Sequence, residues 1–254
     1  MTAPRMPLSG VVIAFNEADR IGRCVASLAA VCVEVIVLDS GSTDATAAIA
    51  QAAGAQVRQQ PWLGFAAQKN AAIAAAGQPW VLLLDADEWL LDDAQARLRA
   101  LFAGALESAD VWELSRRTHY LGAVLRFGGW GSEPVKRLFR RDLRFHPGLV
   151  HEKMDVAGRR VRRADVRMEH DTARSAAEYR AKLDRYATLF AQQKRTEGRR
   201  ASFMAPLWHA AAYGLRVMVL RGGVLDGPRA WPYYGLHVRY VWRKYRLLWQ
   251  GGEG

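Results

Sequence analysis

The chain has 254 residues, enough to bury a substantial core as one large domain or as one domain with an appendage. Half of its residues are hydrophobic and 24% are charged, which excludes general disorder. The formal net charge of +11 predicts attraction to a polyanion, such as nucleic acid, an anionic membrane or phosphorylated substrates. The nine Trp favour an interface, because amphipathic aromatic rings are enriched at interfaces.

Apolar strands and helical patterns alternate along the first hundred residues. In chain order, the patterns predict a strand over 8–15, a helix over 18–30, a strand over 33–38, a helix over 45–53, a short strand over 56–59, a helix over 65–76 and a strand over 80–84. This alternation is typical of an α/β fold with a doubly wound, mostly parallel sheet flanked by helices.

Acidic residues follow two of the predicted strands. Asp39 ends the strand over 33–38, and Asp85, Asp87 and Glu88 follow the apolar run over 80–84. Ligands of open α/β sheets collect at such carboxyl ends. Two Asp separated by one residue suit Mg²⁺ or Mn²⁺, and such an ion favours a phosphate-bearing ligand. The alternative is that Asp85 or Asp87 caps a helix that follows.

Other sequence signals narrow the possible classes and the compartment. No G-x-G-x-x-G follows the first strand and no P-loop motif is present, which disfavours dinucleotide-binding and P-loop proteins. Cys24 and Cys32 are predicted to be small core residues in a reducing compartment. Because no signal peptide and no run of eighteen uncharged apolar residues is found, we expect a location on the cytoplasmic side.

Three segments, in their order and spacing, resemble the successive signatures of family 2 glycosyltransferases, inverting enzymes with the GT-A fold. They are Val-Ile-Ala-Phe-Asn-Glu over 12–17, Val-Ile-Val-Leu-Asp-Ser-Gly-Ser-Thr-Asp over 35–44 and Leu-Asp-Ala-Asp-Glu over 84–88. Later segments over 128–130, 136–141, 149–152 and 170–186 resemble the lipopolysaccharide core-biosynthesis branch, whose enzymes add a hexose or heptose. The resemblance covers residues 8–190 well and the C-terminal part loosely.

The resemblance implies a nucleotide-sugar donor, a UDP-sugar in the first instance, and Mg²⁺ or Mn²⁺ on its diphosphate. It implies that Asp87 is the direct metal ligand and that His170 completes the metal shell, with His151 as the other histidine to consider. The donor-binding residues that it implies are Ala14, Asn16, Glu17, Asp39, Asp85 and Ala86. Lys69 is placed to meet the phosphate or nucleoside, although a solvated helix lysine is an equal alternative.

An inverting transfer also needs a base for the acceptor hydroxyl. The resemblance favours Glu152, which follows the segment 148–151, and leaves Glu133 in its Gly-rich loop as the competitor. Either residue could instead be a surface or salt-bridged carboxylate among the many arginines.

The predicted domains are a GT-A catalytic domain over 1–195 and a basic, aromatic-rich helical extension over 196–254. Within the catalytic domain, residues 8–100 form the nucleotide-sugar half and 101–195 the acceptor half, which includes an amphipathic helix over 175–193. The extension is predicted either to lie in the plane of a membrane interface or to pack as a helical subdomain on the catalytic core.

The resemblance implies transfer of a hexose or heptose to a lipid-linked oligosaccharide acceptor, and with the basic charge it leads us to expect a protein peripheral on the inner face of the cytoplasmic membrane. The expected partners are the donor, the acceptor and an anionic membrane surface, with no nucleic acid. The alternatives are a nucleotidyltransferase that makes a nucleotide sugar, and a non-catalytic polyanion- or membrane-binding protein. The acidic residues at the strand ends disfavour the non-catalytic class, because they would repel phosphates unless a metal intervened.

Overall fold

The computed structural model describes residues 4–146 and 153–251. The chain divides into two compact units, Met1–Arg116 with Pro134–His170 and Arg117–Glu133 with Asp171–Gly254. The domain boundary predicted near residue 195 stays a prediction.

The first half of the chain alternates strands and helices as its periodicity predicted. Its elements are β1 Met6–Ala14, α1 Ile21–Ala29, β2 Cys32–Asp39, α2 Thr46–Ala52, β3 Gln56–Gln59, α3 Phe65–Ala74, β4 Trp80–Asp85, β5 Glu88–Leu90 and α4 Asp92–Ala103. The predicted strands and helices are confirmed with end shifts of a few residues. The largest shift is at α1, which begins at Ile21 because residues 16–19 belong to the preceding loop.

The remaining elements are mainly strands up to residue 171 and helices after it. They are β6 Val111–Tyr120, β7 Ala123–Val124, β8 Glu133–Arg140, β9 Phe145–His146, β10 Lys153–Met154, β11 Val161–Asp171, α5 Ala176–Thr196, α6 Ala205–Gly214 and α7 Trp231–Gln250, with a π-helical segment over Leu215–Leu220. The helix predicted over 175–193 is confirmed as α5, which Ser175 caps at its N-terminus: the Ser175 hydroxyl accepts the backbone N–H of Glu178 at 3.1 Å.

The main sheet has the strand order β3-β2-β1-β4-β8-β6-β11-β5, with β7 paired to β6. Strands β3, β2, β1 and β4 run parallel, whereas β8 is antiparallel to β4 and β5 is antiparallel to β11. The sheet is mixed, and its strands from the N-terminal part of the chain are mostly parallel. This confirms the predicted doubly wound α/β arrangement. Strand β4 is buried on both faces: Leu82 and Leu84 join one apolar cluster, and Val81 and Leu83 join the other.

The second unit has its own core, which is rich in tyrosine. Tyr120, Tyr179, Tyr233 and Tyr234 are buried there together with aliphatic residues of β7, α5 and the C-terminal helices. The buried His237 accepts or donates a hydrogen bond at 2.8 Å to the hydroxyl of Tyr179. Burial lowers the pKa of His237 to about 4, so the imidazole is neutral at physiological pH.

A glycine-rich loop of the second unit packs too closely for side chains at two of its positions. Gly128 has φ 67°, and a Cβ there would come within 2.4 Å of the Tyr234 ring. A Cβ on Gly131 would lie 2.1 Å from the carbonyl oxygen of Arg126. The loop therefore needs glycine at both positions to reach this packing.

Candidate active site

Three neighbouring strands of the first unit end side by side and present the predicted acidic residues. In the register of β1 with β2, Ala14 lies beside Asp39, and in the register of β1 with β4, Ile13 lies beside Asp85. Because strands are about 4.8 Å apart, the two carboxylate-bearing positions are about 10 Å apart across β1. The chain leaves β1 toward β2 on one side and has β4 on the other, which is the topological switch point where open α/β sheets bind ligands.

Asp39 is fully buried and organises the loop that follows β2. Its Oδ2 accepts the backbone N–H groups of Gly41 at 3.2 Å and Ser42 at 3.0 Å and the Gln59 side-chain amide at 2.9 Å. Its Oδ1 accepts the hydroxyl of Ser42. These donors satisfy the buried carboxylate and fix the loop at the sheet edge.

The loops after β1 and β2 are joined by reciprocal hydrogen bonds. Asn16, which has φ 54°, donates its backbone N–H to the Ser42 hydroxyl at 2.9 Å and accepts the backbone N–H of Thr43 at 2.9 Å. The backbone N–H of Glu17 donates to the hydroxyl of Thr46 at 2.7 Å. The predicted donor-binding residues Asn16, Glu17 and Asp39 therefore belong to one cross-linked wall of the first unit.

Asp85 lies in a network of cations and a second carboxylate. Arg137 of β8 donates from Nη2 to Asp85 and, at 2.6 Å, to Glu88, while Lys69 Nζ of α3 lies 3.4 Å from Asp85 Oδ1. Glu88 is fully buried, and its other oxygen accepts the backbone N–H of Asp85 at 3.0 Å. Arg116 Nη1 lies 3.3 Å from Glu88 Oε1 and completes the network.

The charges of this network decide the ionisation of Asp85. Burial alone would raise its pKa, but the neighbouring Arg137 and Lys69 outweigh burial and hold the pKa of the Asp85 carboxyl well below its usual range. The carboxylates of Asp85 and Glu88 in turn raise the pKa of Arg137 against the effect of its burial. Asp85 is therefore a permanently ionised residue whose oxygens are already engaged by cations.

Lys69 is not the solvated helix lysine of the alternative interpretation. It is 5% exposed, and its ammonium group, besides its contact with Asp85, lies 5.6 Å from the centre of the Phe145 ring. A buried lysine with a carboxylate partner is expected to have a defined role at the site.

Asp87 has a different neighbour from Asp85. The antiparallel register pairs His170 of β11 with Glu88 of β5, so the imidazole reaches back to Asp87, with 3.3 Å between His170 Nε2 and Asp87 Oδ2. Burial opposes the ionisation of Asp87, but the contact with His170 outweighs it and lowers the Asp87 pKa. Arg20 Nη1 lies 4.0 Å from the same carboxylate oxygen.

The helix-cap interpretation of Asp85 and Asp87 is wrong. The two residues are followed by strand β5, and helix α4 starts later, with Leu91 at its N-cap and no side-chain cap. Asp85 and Asp87 therefore belong to a site at the carboxyl end of β4.

Asp87 and His170 offer a carboxylate oxygen and an imidazole nitrogen, donor types that Mn²⁺ accepts. Two ligands about 2.1 Å from one ion and at right angles lie about 3.0 Å apart, close to the observed 3.3 Å. The second ring nitrogen of His170, Nδ1, is buried without a hydrogen-bond partner. Residues 4–146 and 153–251 contain no group of three or more His, Cys, Asp or Glu that could hold a metal ion. The pair fits an ion that takes its remaining ligands from a phosphate and water.

The roles of the two base candidates, Glu152 and Glu133, stay predictions. Glu133 is the first residue of β8 and belongs to the second unit. Glu152 and His151 lie outside the described residues. Ala86 lies buried between the two aspartates.

The sequence prediction missed the arginines of the site. Arg137 and Arg20 are both buried, at 6% and 8% exposure, and both contact the acidic residues at the end of β4. Arg137 occurs in the segment over 136–141 that carries part of the family resemblance, where an arginine followed directly by Leu138 and Phe139 is the signal that could have identified it.

Comparison with known proteins decides the family. The model of the family described as "Glycosyl transferase family 2" matches residues 9–111. A lipopolysaccharide core biosynthesis glycosyltransferase of Rhizobium meliloti, LpsC, is 34% identical over 236 residues, which cover 86% of this chain and 83% of that protein. The chain belongs to glycosyltransferase family 2. Within the family it is similar to the lipopolysaccharide core branch, as the motifs predicted.

Other relatives of this family 2 glycosyltransferase either match a shorter part of its sequence or share its fold. An uncharacterized glycosyltransferase of Rickettsia felis is 44% identical over 96 residues, covering 38% of this chain and 34% of that protein. The mannosyltransferase PcManGT from Pyrobaculum calidifontis, solved with GDP-Man and Mn²⁺, has a TM-score of 0.57 at 17% identity and covers 98% of this chain and 89% of that chain. The fold of this chain is accordingly the predicted GT-A fold.

Proposed function

We propose that this family 2 glycosyltransferase transfers a hexose or heptose, with inversion, from a nucleotide-sugar donor to a hydroxyl of a lipid-linked glycan acceptor in lipopolysaccharide core biosynthesis. The observation that carries the proposal is the strand-end site, where Asp87 and His170 converge beside the ionised Asp85. The core-biosynthesis relative from Rhizobium meliloti supports the acceptor class. A UDP-sugar is the first donor to test.

The donor half of the proposal assigns roles to residues of the first unit. The wall formed by Asn16, Glu17 and the loop held by Asp39 would receive the nucleoside, with Ala14 and Ala86 lining it. Asp85 is held ionised and oriented by Arg137, which suits a hydrogen bond from a ribose hydroxyl. Lys69 adds a buried positive charge beside it that favours the diphosphate.

The metal half of the proposal assigns Asp87 and His170 as ligands of Mg²⁺ or Mn²⁺. An ion held there would supply positive charge to the leaving nucleoside diphosphate. PcManGT, which shares the fold, was solved with Mn²⁺ and a nucleotide sugar, and this supports the assignment. Because the pair provides only two ligands, binding of the ion and of the nucleotide is expected to be mutually reinforcing.

The acceptor hydroxyl needs a base, and we propose Glu152 for this role, with Glu133 as the second candidate.

A lipid-linked acceptor places the enzyme at a membrane, and we propose a peripheral location on the inner face of the cytoplasmic membrane. The net charge of +11 supports an anionic surface as the partner. Family membership favours glycosyl transfer over the nucleotidyltransferase and over the non-catalytic alternative.

The test combines donor nucleotides with metal in a thermal unfolding assay and a transfer assay. We expect MnCl₂ alone and UDP alone to stabilise the purified full chain weakly, and the two together to raise the Tm by more than the sum of the separate shifts. His170→Gln should abolish this excess, whereas His146→Gln, at an exposed histidine paired with Asp155, should retain it.

Transfer is then measured with a panel of nucleotide sugars and a truncated lipopolysaccharide core as acceptor. Release of nucleoside diphosphate that depends on both the acceptor and the metal supports the proposal. Additive stabilisation by metal and every nucleotide tested, with no diphosphate release, would contradict it.

A further inference from the structure

One side of the helical segment over residues 205–220 in the second unit faces solvent with apolar side chains. Helix α6 continues directly into the π-helical segment Leu215–Leu220, and together they turn Pro206, Ala210 and Val217 inward. The opposite side, here called the outer apolar face, consists of Met204, Leu207, Trp208, Ala211, Ala212, Leu215 and Val219. The positions 204, 207/208, 211/212, 215 and 219 recur every three or four residues, which places them along one side of the helix.

Four large apolar side chains of this face are each more than half exposed. Leu207 is 59% exposed, Trp208 70%, Leu215 57% and Val219 62%. The outward side of a helix in a soluble protein is normally polar, and contiguous apolar surface of this kind marks an interaction site. The inward side of the helix packs in the core of the second unit, so a partner for the outward side has to come from elsewhere.

The charges around the outer apolar face identify the chemistry of that partner. Residues 198–225 contain four arginines, Arg199, Arg200, Arg216 and Arg221, and no aspartate or glutamate. Of the two acidic residues that border this segment, Glu197 pairs with Lys194 at 2.6 Å and lies 3.8 Å from Arg199 Nε, so it offsets one of the four arginines. Asp226 is engaged elsewhere in the same unit, where it accepts the backbone N–H of Arg126 at 2.8 Å and the hydroxyl of Tyr234. An anionic, apolar partner therefore complements the segment.

We infer that the outer apolar face docks in the plane of an anionic lipid bilayer, with its apolar side chains at the headgroup boundary and the arginines on lipid phosphates. This inference deepens the proposed function and rests on it for the location of the acceptor. Among residues 4–146 and 153–251, no helix combines the length and apolar content needed to cross a bilayer, so the segment would lie on the membrane. Tryptophan and arginine are typical of this boundary.

A second copy of the chain is the less suitable occupant. In a two-fold contact of the outer apolar face with itself, Arg216 and Arg221 would approach their counterparts in the other copy, and residues 198–225 contain no acidic residue to compensate them. Like charges brought together in this way disfavour association, whereas the arginines attract a bilayer with anionic headgroups.

The first experiment measures flotation of the full chain with vesicles of phosphatidylglycerol and phosphatidylethanolamine, and with vesicles of phosphatidylcholine alone. We expect binding to the anionic vesicles that weakens with salt. The double variant Leu207→Glu/Leu215→Glu should bind at least about tenfold more weakly, because it removes apolar insertion and adds two negative charges. The matched control Val33→Glu/Leu91→Glu changes two exposed apolar residues of the first unit, at 43% and 42% exposure, and should bind as the unmodified chain does.

The second experiment locates the contact. Cys24 and Cys32 are buried, so a cysteine introduced at an exposed position is the accessible thiol for an environment-sensitive fluorophore. A label on Leu215→Cys should shift its emission to the blue with anionic vesicles and be quenched by brominated lipid. The same label on Leu91→Cys should show neither change.

The outcomes separate this inference from the proposed function. Equal flotation of the two double variants, or a label at residue 215 that stays in water, overturns the docking surface. Concentration-dependent dimers that disappear in Leu207→Glu/Leu215→Glu, without vesicle binding, overturn it in favour of an interface between copies. Cooperative stabilisation by UDP and Mn²⁺ depends on the first unit and should be unchanged in these variants, so loss of vesicle binding and failure of donor binding are distinguishable.

Discussion

In the first unit, the buried Glu88 and Arg137 pair their charges with each other and with the partly exposed Asp85, whereas in the second unit Leu207 and Trp208 place apolar side chains in solvent. Both arrangements are costly for a folded chain in water. The difference indicates two kinds of partner: the buried charges suit a small charged ligand at the sheet edge, and the exposed apolar side suits an extended surface. The following changes test each half of this contrast, from the largest expected effect to the smallest.

Replacing Asp87 by Ala should have the largest effect, and only on activity. Loss of the carboxylate proposed to hold the metal should lower kcat/KM for sugar transfer by about 10³-fold. The matched control is Asp165→Ala, because the Asp165 side chain is 91% exposed. Circular dichroism should show that both variants are folded. Transfer by Asp87→Ala at the rate of the control would remove Asp87 from the mechanism.

Replacing Arg137 by Met should lower stability strongly. The change leaves the fully buried Glu88 with fewer positive neighbours, and breaking such a buried pair costs about 3 kcal/mol of unfolding free energy. Arg159→Met removes an arginine from a pair with the exposed Asp142 and should cost less than about 1 kcal/mol. Urea unfolding at pH 7.5 compares the two. Equal losses would show that the network at Asp85 is no more important to folding than a surface pair.

The neutral His237 makes stability depend on pH in the second unit. Its pKa is lowered from 6.5 in the unfolded chain to about 4 in the folded one, so the unfolded chain binds more protons and stability falls as pH decreases below 6.5. Between pH 7.5 and pH 5 this group should contribute a loss of about 2 kcal/mol. In His237→Gln, the loss measured by urea unfolding should be smaller by that amount. An unchanged pH dependence would show that another group is responsible.

The ion pairs between α5 and α7 should have the smallest effect on the free energy of unfolding. Asp184 lies 2.8 Å from Arg239 Nη1 and 3.1 Å from Arg243 Nε, and all three side chains are partly exposed. Asp184→Asn should cost about 1 kcal/mol, and the cost should shrink in 1 M NaCl because exposed pairs are screened. Asp165→Asn serves as the exposed control. A cost that is independent of salt would place Asp184 in a less solvated environment than its exposure indicates.

Much of the first unit could be predicted because its pattern is local. The buried strand over 80–84, the acidic residues after it and the helix spacing of Ile21, Val25 and Leu28 depend on residues that are neighbours in sequence. That Asp39 and Asp85 lie at the carboxyl ends of strands in one sheet could be predicted from the alternation of strands and helices, whereas the strand order that places them on either side of β1 could not.

The partners of Asp85 could not be predicted because they depend on long-range pairing. Arg137 lies 52 residues away from Asp85 and meets it only because β8 pairs antiparallel with β4. The same holds for His170, whose approach to Asp87 depends on the register of β11 with β5. For the C-terminal helices, the choice between in-plane helices and a packed subdomain stays a prediction. Helix α7 buries Tyr233 and Val241, while α6 leaves its outer side in solvent.

The close packing of Gly128 against Tyr234 and of Gly131 against the Arg126 carbonyl bears on how related sequences are compared. The segment over 128–130 is one of those by which the chain resembles the lipopolysaccharide core branch, so it is tempting to use it as a marker of sugar preference. Here glycine at 128 and 131 is required by steric contacts within the unit. Two enzymes that share these glycines therefore share a backbone shape, and their donor or acceptor specificity has to be inferred from other positions.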